Sequence, residues 1–380
     1  MARSETAPEG TRRDARSWIA TRLVTLARVY FTWVFGWAIA HALLGTRLWW
    51  LFVLSTFAEY FFLTLPVIAG IALLVRRRET WIGLGAVTAL GLYLYGGLFL
   101  PRMPQQPFAA RPGCLRSPGP PECRPDPDGA TLTVMSYNLL GTREHPEGVV
   151  ATIRAVGADV VALQELTPSS AGAIQRELAA AYPYQVLDPQ VGVTGMGVIS
   201  RYPLRPSGET LPGNWVFVPQ VLAMDFAGSM VTVLHFHTFA TSLSRAMDLL
   251  AAPAHIERTV RERERQAQAV VDFVATHPGP LIAPTDLNTG DQSTTYALVA
   301  GVLEDSWREA GWGLGHTFPG IAPSEDPGAI FAQLPIPMWW IRIDYVFHSA
   351  HWRALEARTG PWDGVSDHRP IVAHLMLVQE

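Results

Sequence analysis

Three long apolar runs occupy residues 29–45, 48–75 and 81–100 of this 380-residue chain. An α-helix rises about 1.5 Å per residue, so about 20 apolar residues cross a hydrocarbon core of roughly 30 Å. The runs therefore predict a membrane segment of about three transmembrane helices over residues 29–100. The second run is long enough to tilt, or to bend near Pro66. Apolar sequence that continues through three segments is not typical of a cleavable signal peptide.

Arginines flank these runs unevenly. Five lie between residues 12 and 28, and Arg76, Arg77 and Arg78 separate the second run from the third, whereas Arg47 alone separates the first from the second. Positive charge concentrates on the cytoplasmic side of membrane helices. Residues 1–28 are therefore predicted to be a basic cytoplasmic N-terminus. Everything after Leu100 is predicted to be extracytoplasmic, on a multi-pass protein of the cell membrane.

Three residues leave alternatives open. Glu59 lies inside the second apolar run, where a carboxylate is either functional or kept neutral or hydrogen-bonded by a neighbouring helix. Cys114 and Cys123 lie in residues 101–130, whose many prolines disfavour a helix or a central strand. We interpret this stretch as a semi-rigid linker. Its cysteines form a disulfide if the linker is extracytoplasmic, or are free thiols.

The remaining residues, 131–380, mix strand-like and helix-like patterns and predict one α/β domain built on packed sheets. The strand-like runs cover residues 132–135, 160–163, 198–200, 221–226, 230–236, 281–283, 344–347 and 371–377. The helical patterns cover residues 148–156, 169–181, 254–276 and 294–299. Part of the third, residues 257–268, is highly charged and is expected to face solvent.

The charge of this domain bears on its partners. Residues 130–380 carry 25 acidic residues and 15 arginines, a net charge of −10, whereas residues 1–129 carry a net charge of +6. Proteins that hold nucleic acid usually present a basic surface to the phosphate backbone. Nucleic acid is therefore a disfavoured partner, although an acidic domain can still contain a basic groove.

Short polar motifs end several of the strand-like runs. In chain order they are Asn138, Gln164-Glu165, His237, Asp286-x-Asn288, Asp344 and, before the last run, Asp367-His368. Polar side chains at strand ends converge at one edge of a sheet. Carboxylates, amides and imidazoles together can hold a hard metal ion and support attack on phosphorus. The first hypothesis is therefore a metal-dependent phosphohydrolase.

This ordered set, with residues 200–203 and Ser366, resembles the endonuclease/exonuclease/phosphatase superfamily over about residues 131–378. That family includes deoxyribonuclease-type nucleases, inositol polyphosphate phosphatases and sphingomyelinases. The resemblance implies an α/β (α+β) four-layer sandwich of two packed β-sheets flanked by helices, here preceded by the N-terminal transmembrane helical segment. One departure is Thr285, because the family usually has glycine before the aspartate.

The resemblance also implies a metal site. Glu165 corresponds to the family's main metal ligand, and a partly solvated carboxylate at a strand end suits Mg²⁺ or Mn²⁺. Asn138 corresponds to the family's amide that touches the metal or the phosphate. Asp367 is the third implied metal contact.

Catalytic roles follow from the same resemblance. Asp286 would orient or deprotonate the attacking water, and Asn288 and His237 would contact the phosphoryl group. His368 would act as a general base or as a donor to the phosphoryl oxygens. Asp344 would hydrogen-bond His368 and fix its tautomer.

His235 lies two residues before His237 and is therefore on the same face of a strand. It either lines the pocket or is a buried, hydrogen-bonded histidine.

Two apolar loops bear on the substrate. Residues 213–219 and 334–341 contain tryptophans and aliphatic residues that either contact lipid headgroups or are buried under the sheet. With the membrane segment and the acidic surface, they favour a lipid-linked phosphate or pyrophosphate. The layout also resembles teicoplanin-resistance membrane proteins of the VanJ type. Those proteins join N-terminal spans to an outward-facing domain of this superfamily and are linked to undecaprenyl pyrophosphate dephosphorylation.

Three alternatives remain open. A surface-exposed metal-dependent nuclease of the same fold should present a basic stripe along its metal cleft. A sphingomyelinase-like lipid phosphodiesterase would release a phosphorylated headgroup instead of inorganic phosphate. A non-catalytic binding module is disfavoured because every expected catalytic position is filled. No obligate protein partner is inferred.

Overall fold

The structure, a computed structural model, describes residues 9–100, 129–241, 251–320 and 338–378. Three predictions fall outside the described residues: the linker over residues 101–128, the pairing of Cys114 with Cys123, and residues 334–337 of one apolar loop. The chain divides into two compact units, Met1–Gly97 and Leu98–Glu380. We call them the helical unit and the sheet unit.

The described residues up to residue 100 form helices joined by short turns. The elements are α1 (Glu9–Leu44), α2 (Trp49–Thr56), a 3₁₀ helix (Ala58–Thr64), α3 (Leu65–Val75), α4 (Arg78–Tyr95) and a second 3₁₀ helix (Gly96–Phe99). Three stretches are long and apolar enough to cross a membrane, namely Ser17–Leu44, Ala58–Val75 and Arg78–Phe99. The expectation of about three helices of spanning length is therefore met in length and composition.

The second apolar run differs from its prediction because it is not one long helix. It is interrupted at Phe57, which leaves the helical region of backbone conformation with φ −110° and ψ 19°. Glu59 lies in the 3₁₀ helix that follows. Pro66 lies in the first turn of α3, where a missing N–H sacrifices no helical hydrogen bond. The break therefore falls at Phe57 and not at Pro66.

Apolar side chains hold the helices of this unit together. The buried cluster consists of Val34, Trp37, Leu51, Ala58, Phe61 and Val87. A side chain at Gly83 would overlap the ring of Phe31, so α1 and α4 approach closely at that point. An ion pair between Arg28 and Glu79, at 2.5 Å, joins the same two helices.

The sheet unit contains two six-stranded mixed sheets. The first has the order β11-β12-β1-β2-β4-β3 and the second the order β5-β6-β7-β8-β10-β9. The strands are β1 (Thr131–Asn138), β2 (Val160–Gln164), β3 (Tyr184–Asp188), β4 (Met196–Ser200), β5 (Leu204–Pro206), β6 (Gln220–Phe226), β7 (Ser229–His237), β8 (Leu281–Asp286), β9 (Glu304–Asp305), β10 (Asp344–His348), β11 (Trp352–Thr359) and β12 (Ile371–Leu377). Each sheet has a parallel pair near its centre, β1 with β2 and β7 with β8.

Helices cover the outer face of each sheet. The first sheet packs against α5 (Pro146–Val156) and α6 (Pro168–Leu178), and the second against α7 (Ala252–Ala275) and α8 (Thr294–Ala300), with a short α9 (Ser306–Ala310) beyond. In β1, Met135 and Tyr137 face the helices, so Ser136 and Asn138 face the other sheet. The predicted four-layer sandwich is confirmed.

Candidate active site

The predicted polar residues gather where the central strands end. Asn138 and Gln164 end β1 and β2 and are register partners. Asp286 ends β8 and pairs both with His237, which ends β7, and with Asp344, which begins β10. Parallel strands end at the same edge, and the antiparallel β10 begins there. Both sheets therefore deliver their polar residues to one end of the sandwich.

Glu165 follows β2 with a positive φ of 57°, which turns its carboxylate toward β1. Its Oε2 accepts a hydrogen bond from the backbone N–H of Gly141 at 2.8 Å, and its Oε1 lies 3.2 Å from Asn138 Nδ2. Asn138 Nδ2 also donates to Asp286 at 3.0 Å, while its Oδ1 accepts from the backbone N–H of Leu140. Asn138 was expected to offer an oxygen to a metal, but here it presents its amide donor to two carboxylates.

Asp286 is the centre of this arrangement and is fully buried. Its Oδ1 accepts from the backbone N–H of Asn288 at 2.8 Å. Its Oδ2 accepts from Asn138 and lies 3.3 Å from His237 Nε2 and 3.9 Å from His368 Nε2. Burial opposes ionisation of Asp286, but the two imidazoles and the Asn138 amide outweigh it and hold the pKa of this carboxyl below its usual range. Asp286 is therefore an anion that can accept hydrogen bonds at the centre of the site.

His237 and Asn288 support each other beside Asp286. Asn288 Nδ2 donates to the carbonyl of Thr238 at 3.1 Å and lies 2.8 Å from His237 Nε2. The His237 ring is fully buried and stacks on Phe217, with ring centroids 3.7 Å apart. In this geometry His237 contacts Asn288 and Asp286, whereas Asn288 itself is only partly buried. Of the pair, Asn288 is therefore the residue more accessible to a phosphoryl group.

The loop before β12 places His368 against Asp344. The distance from His368 Nδ1 to Asp344 Oδ2 is 2.9 Å, the arrangement that the sequence suggested. Ser366 fixes this loop, because its hydroxyl donates to the carbonyl of Asn138 and accepts from the His368 backbone N–H. Burial alone would lower the pKa of His368, but the carboxylates of Asp344 and Asp286 raise it well above its usual value. With Nδ1 held by Asp344, the Nε2 edge of the ring faces the site.

Asp367 lies at the more open side of the cluster. Its Oδ1 is 3.8 Å from His368 Nε2, and its side chain is partly exposed, like that of Glu165. Burial raises the pKa of Asp367 to about 6; the carboxylates of Glu165 and Asp286 add to this, while His368 opposes it. Several carboxylates that repel one another fit a divalent cation, which would relieve that repulsion, and oxygen donors suit Mg²⁺ or Mn²⁺.

A second group of potential ligands differs from the predicted set. Asp286, Asp344 and His368 offer donor atoms that all lie within 4.8 Å of one another. The closest pair in this group is the hydrogen-bonded Asp344 and His368, so their proximity has an explanation in hydrogen bonding. We therefore retain Glu165 and Asp367, the more accessible oxygen donors, as the proposed ligands.

One buried cation was missed by sequence reasoning. The charged part of α7 was expected to face solvent, but Arg263 is fully buried. Its Nη1 donates to the carbonyl of Asn288 and its Nη2 to the hydroxyl of Thr241 at 3.1 Å. Arg263 therefore anchors the segment after β8 that carries Asn288. Helical periodicity could have predicted this burial, because Arg263 shares one face of the helix with the buried residues Thr259, Gln266 and Val270.

The apolar loop at residues 213–219 is divided between core and surface. Phe217 is buried against His237, whereas its neighbours Val216 and Val218 are 42% and 58% exposed. The two valines on either side of Phe217 are thus exposed directly beside the candidate site. Neither of the two readings of this loop, lipid contact or burial, holds for all of its residues.

The described part of the other apolar loop packs on its neighbours. Trp339 lies edge-on to Trp362, with centroids 5.6 Å apart, and the Arg369 guanidinium lies over its ring at 4.8 Å. Met338 remains exposed. Trp339 is therefore mainly a packing residue in this structure.

The sequence pattern of the endonuclease/exonuclease/phosphatase family matches residues 135–368, more than half of the chain. This match runs from β1 to His368 and so spans every residue of the site. The chain belongs to the endonuclease/exonuclease/phosphatase family.

Solved structures with this fold are similar at low identity. An endonuclease/exonuclease/phosphatase from Beutenbergia cavernae DSM 12333 is 20% identical, with a TM-score of 0.45 over 66% of this chain and 72% of that chain. D. rerio TDP2 complexed with single strand DNA product is 16% identical, with a TM-score of 0.49 over 64% of this chain and 98% of that chain. A search of curated proteins finds no match to this chain.

Members of the endonuclease/exonuclease/phosphatase family are hydrolases that act on phosphoester bonds, and they generally use divalent metal ions. The buried anion Asp286, the paired Asp344 and His368, and the partly exposed Glu165 and Asp367 provide groups for such a reaction. The family does not fix the substrate, because substrate choice depends on the loops around a shared site.

Proposed function

We propose that this chain is a membrane-anchored, divalent-metal-dependent phosphohydrolase with an extracytoplasmic active site. Its substrate would be a lipid-linked phosphate or pyrophosphate such as undecaprenyl pyrophosphate. The observation that carries the proposal is the combination of a phosphoester-hydrolase cluster around Asp286 with three helices of membrane-spanning length in one chain. The architectural resemblance to VanJ-type proteins points the same way.

The roles of the residues follow from their contacts. A divalent cation held by Glu165 and Asp367 would supply positive charge at the phosphoryl oxygens. Asp286 would orient the attacking water by accepting a hydrogen bond from it, since its carboxylate is held ionised by surrounding donors. His368 would direct Nε2 toward the developing negative charge, with Asp344 maintaining the orientation of the ring.

Asn288 and Asn138 would bind the phosphoryl group. The Asn288 amide is partly exposed and is aligned by Thr238 and His237. A phosphoryl oxygen would compete with His237 for one of its amide hydrogens. We therefore assign His237 to the alignment of Asn288 and Asp286 in the free enzyme.

Two features support a lipid as the carrier of the phosphate. The exposed valines at 216 and 218 flank Phe217, which packs on His237, so an apolar surface borders the site. The net charge of −10 over residues 130–380 also disfavours a long polyanion such as DNA. A single phosphate on a lipid carries far less charge and brings apolar surface of its own.

The test compares products from one preparation of the full chain in liposomes. We expect inorganic phosphate to be released from undecaprenyl pyrophosphate in the presence of Mg²⁺, and little nicking of plasmid DNA. Glu165→Gln in the same liposomes is the matched control. Release of a phosphorylated headgroup from sphingomyelin would favour the phosphodiesterase alternative. Rapid DNA cleavage without phosphate release from any lipid would overturn the proposal.

Orientation needs its own measurement. A reporter fused after Leu377 should be active only if it is a type that works outside the cytoplasm, because the arginine distribution predicts an extracytoplasmic sheet unit. Activity of a cytoplasm-only reporter at the same position would contradict this orientation.

A further inference from the structure

A second layer of buried polar residues lies directly beneath the site, between the two sheets. Ser136 lies two residues before Asn138 on β1, and His235 lies two residues before His237 on β7. Gln164 is the last residue of β2, and Ser136, Gln164 and His235 are each fully buried. Because side chains two apart on a strand share a face, Ser136 and His235 lie one step further into the sandwich than Asn138 and His237. Gln164 is the register partner of Asn138, and its side-chain amide reaches both of these deeper residues.

One hydrogen bond in this layer joins the sheets. Gln164 Nε2 in the first sheet lies 2.8 Å from His235 Nε2 in the second. The same Gln164 Nε2 donates to the Ser136 hydroxyl at 3.0 Å. Gln164 therefore supplies both of its amide hydrogens, one along its own sheet and one across to the other.

The tautomer of His235 is consistent with this bond. Gln220 donates its Nε2 to the carbonyl of Val186, which turns its Oε1 toward His235 Nδ1 at 3.2 Å. Nδ1 then carries the hydrogen and Nε2 accepts from Gln164. Burial, with His237 close by, lowers the pKa of His235 to about 3, so the ring is neutral at physiological pH.

This arrangement leaves one polar atom unsatisfied. Gln164 Oε1 is buried and has no hydrogen-bond partner among the residues that the structure describes. An unsatisfied buried carbonyl destabilises a fold, and an apolar residue of similar size would avoid that cost. A glutamine at position 164 is therefore more consistent with a role in orienting its neighbours than with a role in stabilising the fold.

Both partners are directly linked to groups of the site. Gln164 precedes Glu165, whose positive φ aims its carboxylate at Asn138 and Gly141. On the other side, His235 lies two positions before His237 on the same strand, and His237 lies 3.3 Å from Asp286. The bond thus ties the strand end that carries Glu165 to the strand that supports Asp286.

We propose that the hydrogen bond between Gln164 and His235 is an inter-sheet clamp that sets the spacing between Glu165 in one sheet and Asp286 and His237 in the other. His235 and Gln164 would act as positioning residues, since both are fully buried between the sheets. The inference rests on the metal-dependent part of the proposed function, because Glu165 is the principal ligand in that account.

The test measures Mn²⁺ affinity on the full chain, by the EPR signal of free Mn²⁺, together with kcat and KM. His235→Leu removes the acceptor, whereas His235→Gln keeps a side chain that can accept from Gln164. Loss of groups that orient metal ligands commonly weakens metal binding by about 10- to 100-fold. We expect His235→Leu to weaken Mn²⁺ binding and lower kcat by about tenfold each with little change in KM, and His235→Gln to restore both to within about threefold.

The matched control is His374→Leu. His374 lies on β12 of the first sheet, and its Nδ1 is 3.1 Å from the Thr133 hydroxyl, toward the other end of β1. This variant should lower Tm yet leave Mn²⁺ affinity and kcat unchanged. Equal Mn²⁺ affinity in the parent and in a folded His235→Leu would overturn the clamp alone. If His235→Leu does not fold, failure of a folded His235→Gln to bind Mn²⁺ as the parent does would also overturn it.

The outcomes also separate this inference from the proposed function. If the parent binds Mn²⁺ no better than Glu165→Gln does, the proposed metal site is wrong and the clamp has no role. If the parent binds Mn²⁺ and His235→Leu binds it equally well, the metal site stands and the clamp is wrong.

Discussion

The helical unit and the sheet unit distribute polar and apolar groups in opposite ways. Around the helical unit, large apolar side chains face outward, with Leu43 77% and Tyr93 85% exposed. In the sheet unit, ionisable groups such as Asp286, Asp344 and His368 are buried between layers of apolar strands. An apolar exterior suits lipid, whereas a buried charge persists only where other groups compensate it. The helical unit thus needs surroundings that tolerate exposed apolar side chains. The sheet unit instead needs hydrogen bonds and ion pairs among its own buried charged groups.

The largest expected effect concerns the internal pairing of the sheet unit. Glu165→Gln keeps the size of the side chain but removes the charge that would hold the cation. Losing several kcal/mol of transition-state stabilisation should reduce kcat by about 10³-fold or more. The measurement is phosphate release by purified full-length protein, with Tm as a check on folding. Activity that persists in the variant, or in the parent with excess EDTA, would show that no metal at Glu165 is needed.

The next effect tests whether the buried carboxylate of Asp344 contributes to catalysis through His368. Asp344→Asn can retain a hydrogen bond to His368 but removes a negative charge that raises the pKa of the His368 ring. We expect kcat to fall by about 10²-fold with a small change in Tm. Asp305→Asn is the control, since Asp305 is a buried carboxylate paired at 2.8 Å with Arg342 elsewhere in the sheet unit. Asp305→Asn should lower Tm and leave kcat nearly unchanged, whereas Asp344→Asn should lower kcat and leave Tm nearly unchanged. The opposite pattern would contradict the role assigned to Asp344.

A smaller effect concerns the exposed apolar side chains beside the site of the sheet unit. Val216→Ser with Val218→Ser removes two exposed valines beside the site. Loss of about 1–2 kcal/mol of apolar contact should lower kcat/KM for a lipid phosphate by about tenfold and leave a soluble phosphate ester unaffected. Met230→Ser, an equally exposed change at the opposite end of β7, should affect neither substrate. Equal losses on both substrates would mean that the loop supports His237 instead of contacting lipid.

The smallest effect is a pH dependence from His235. Unfolded, this histidine takes up a proton near its ordinary pKa of 6.5, but in the folded protein only near 3. Between these values the unfolded state binds more protons, so stability falls as the pH drops below about 6.5. The loss is about 2 kcal/mol at pH 5 relative to pH 7, or roughly 4–8 °C in Tm. His235→Gln should show a correspondingly smaller fall in Tm, and an identical fall would contradict the assigned neutral state.

Sequence alone predicted which polar side chains converge better than it predicted the strands and helices around them. Asn138, Glu165 and Asp286 each stand at the end of a short apolar run, and strand ends converge by geometry, so these three could be placed together in advance. The strands β3 and β11 were missed because their sequences carry exposed or charged residues that do not alternate clearly. Burial of Arg263 was missed because its partner, the carbonyl of Asn288, lies 25 residues away in sequence.

The helical unit shows a related limit. Its apolar composition predicted helices of spanning length, but composition does not locate an interruption within a continuous apolar run. The break at Phe57 depends on how α2 and the following 3₁₀ helix pack against α1, where Leu51, Ala58 and Phe61 join Val34 and Trp37. Local pattern therefore determines the class of structure, and tertiary packing determines where each helix ends.

The most direct test of the account is whether the helical unit delivers the sheet unit to its substrate. A protease site inserted within residues 101–128 of the full chain in liposomes allows turnover to be measured before and after cleavage. We expect cleavage to lower kcat/KM for the lipid-linked pyrophosphate at least about tenfold, because the high local concentration of the sheet unit at the membrane surface is lost. Hydrolysis of a soluble phosphate ester should be unchanged. An unchanged rate on the lipid substrate after complete release of the sheet unit would contradict it.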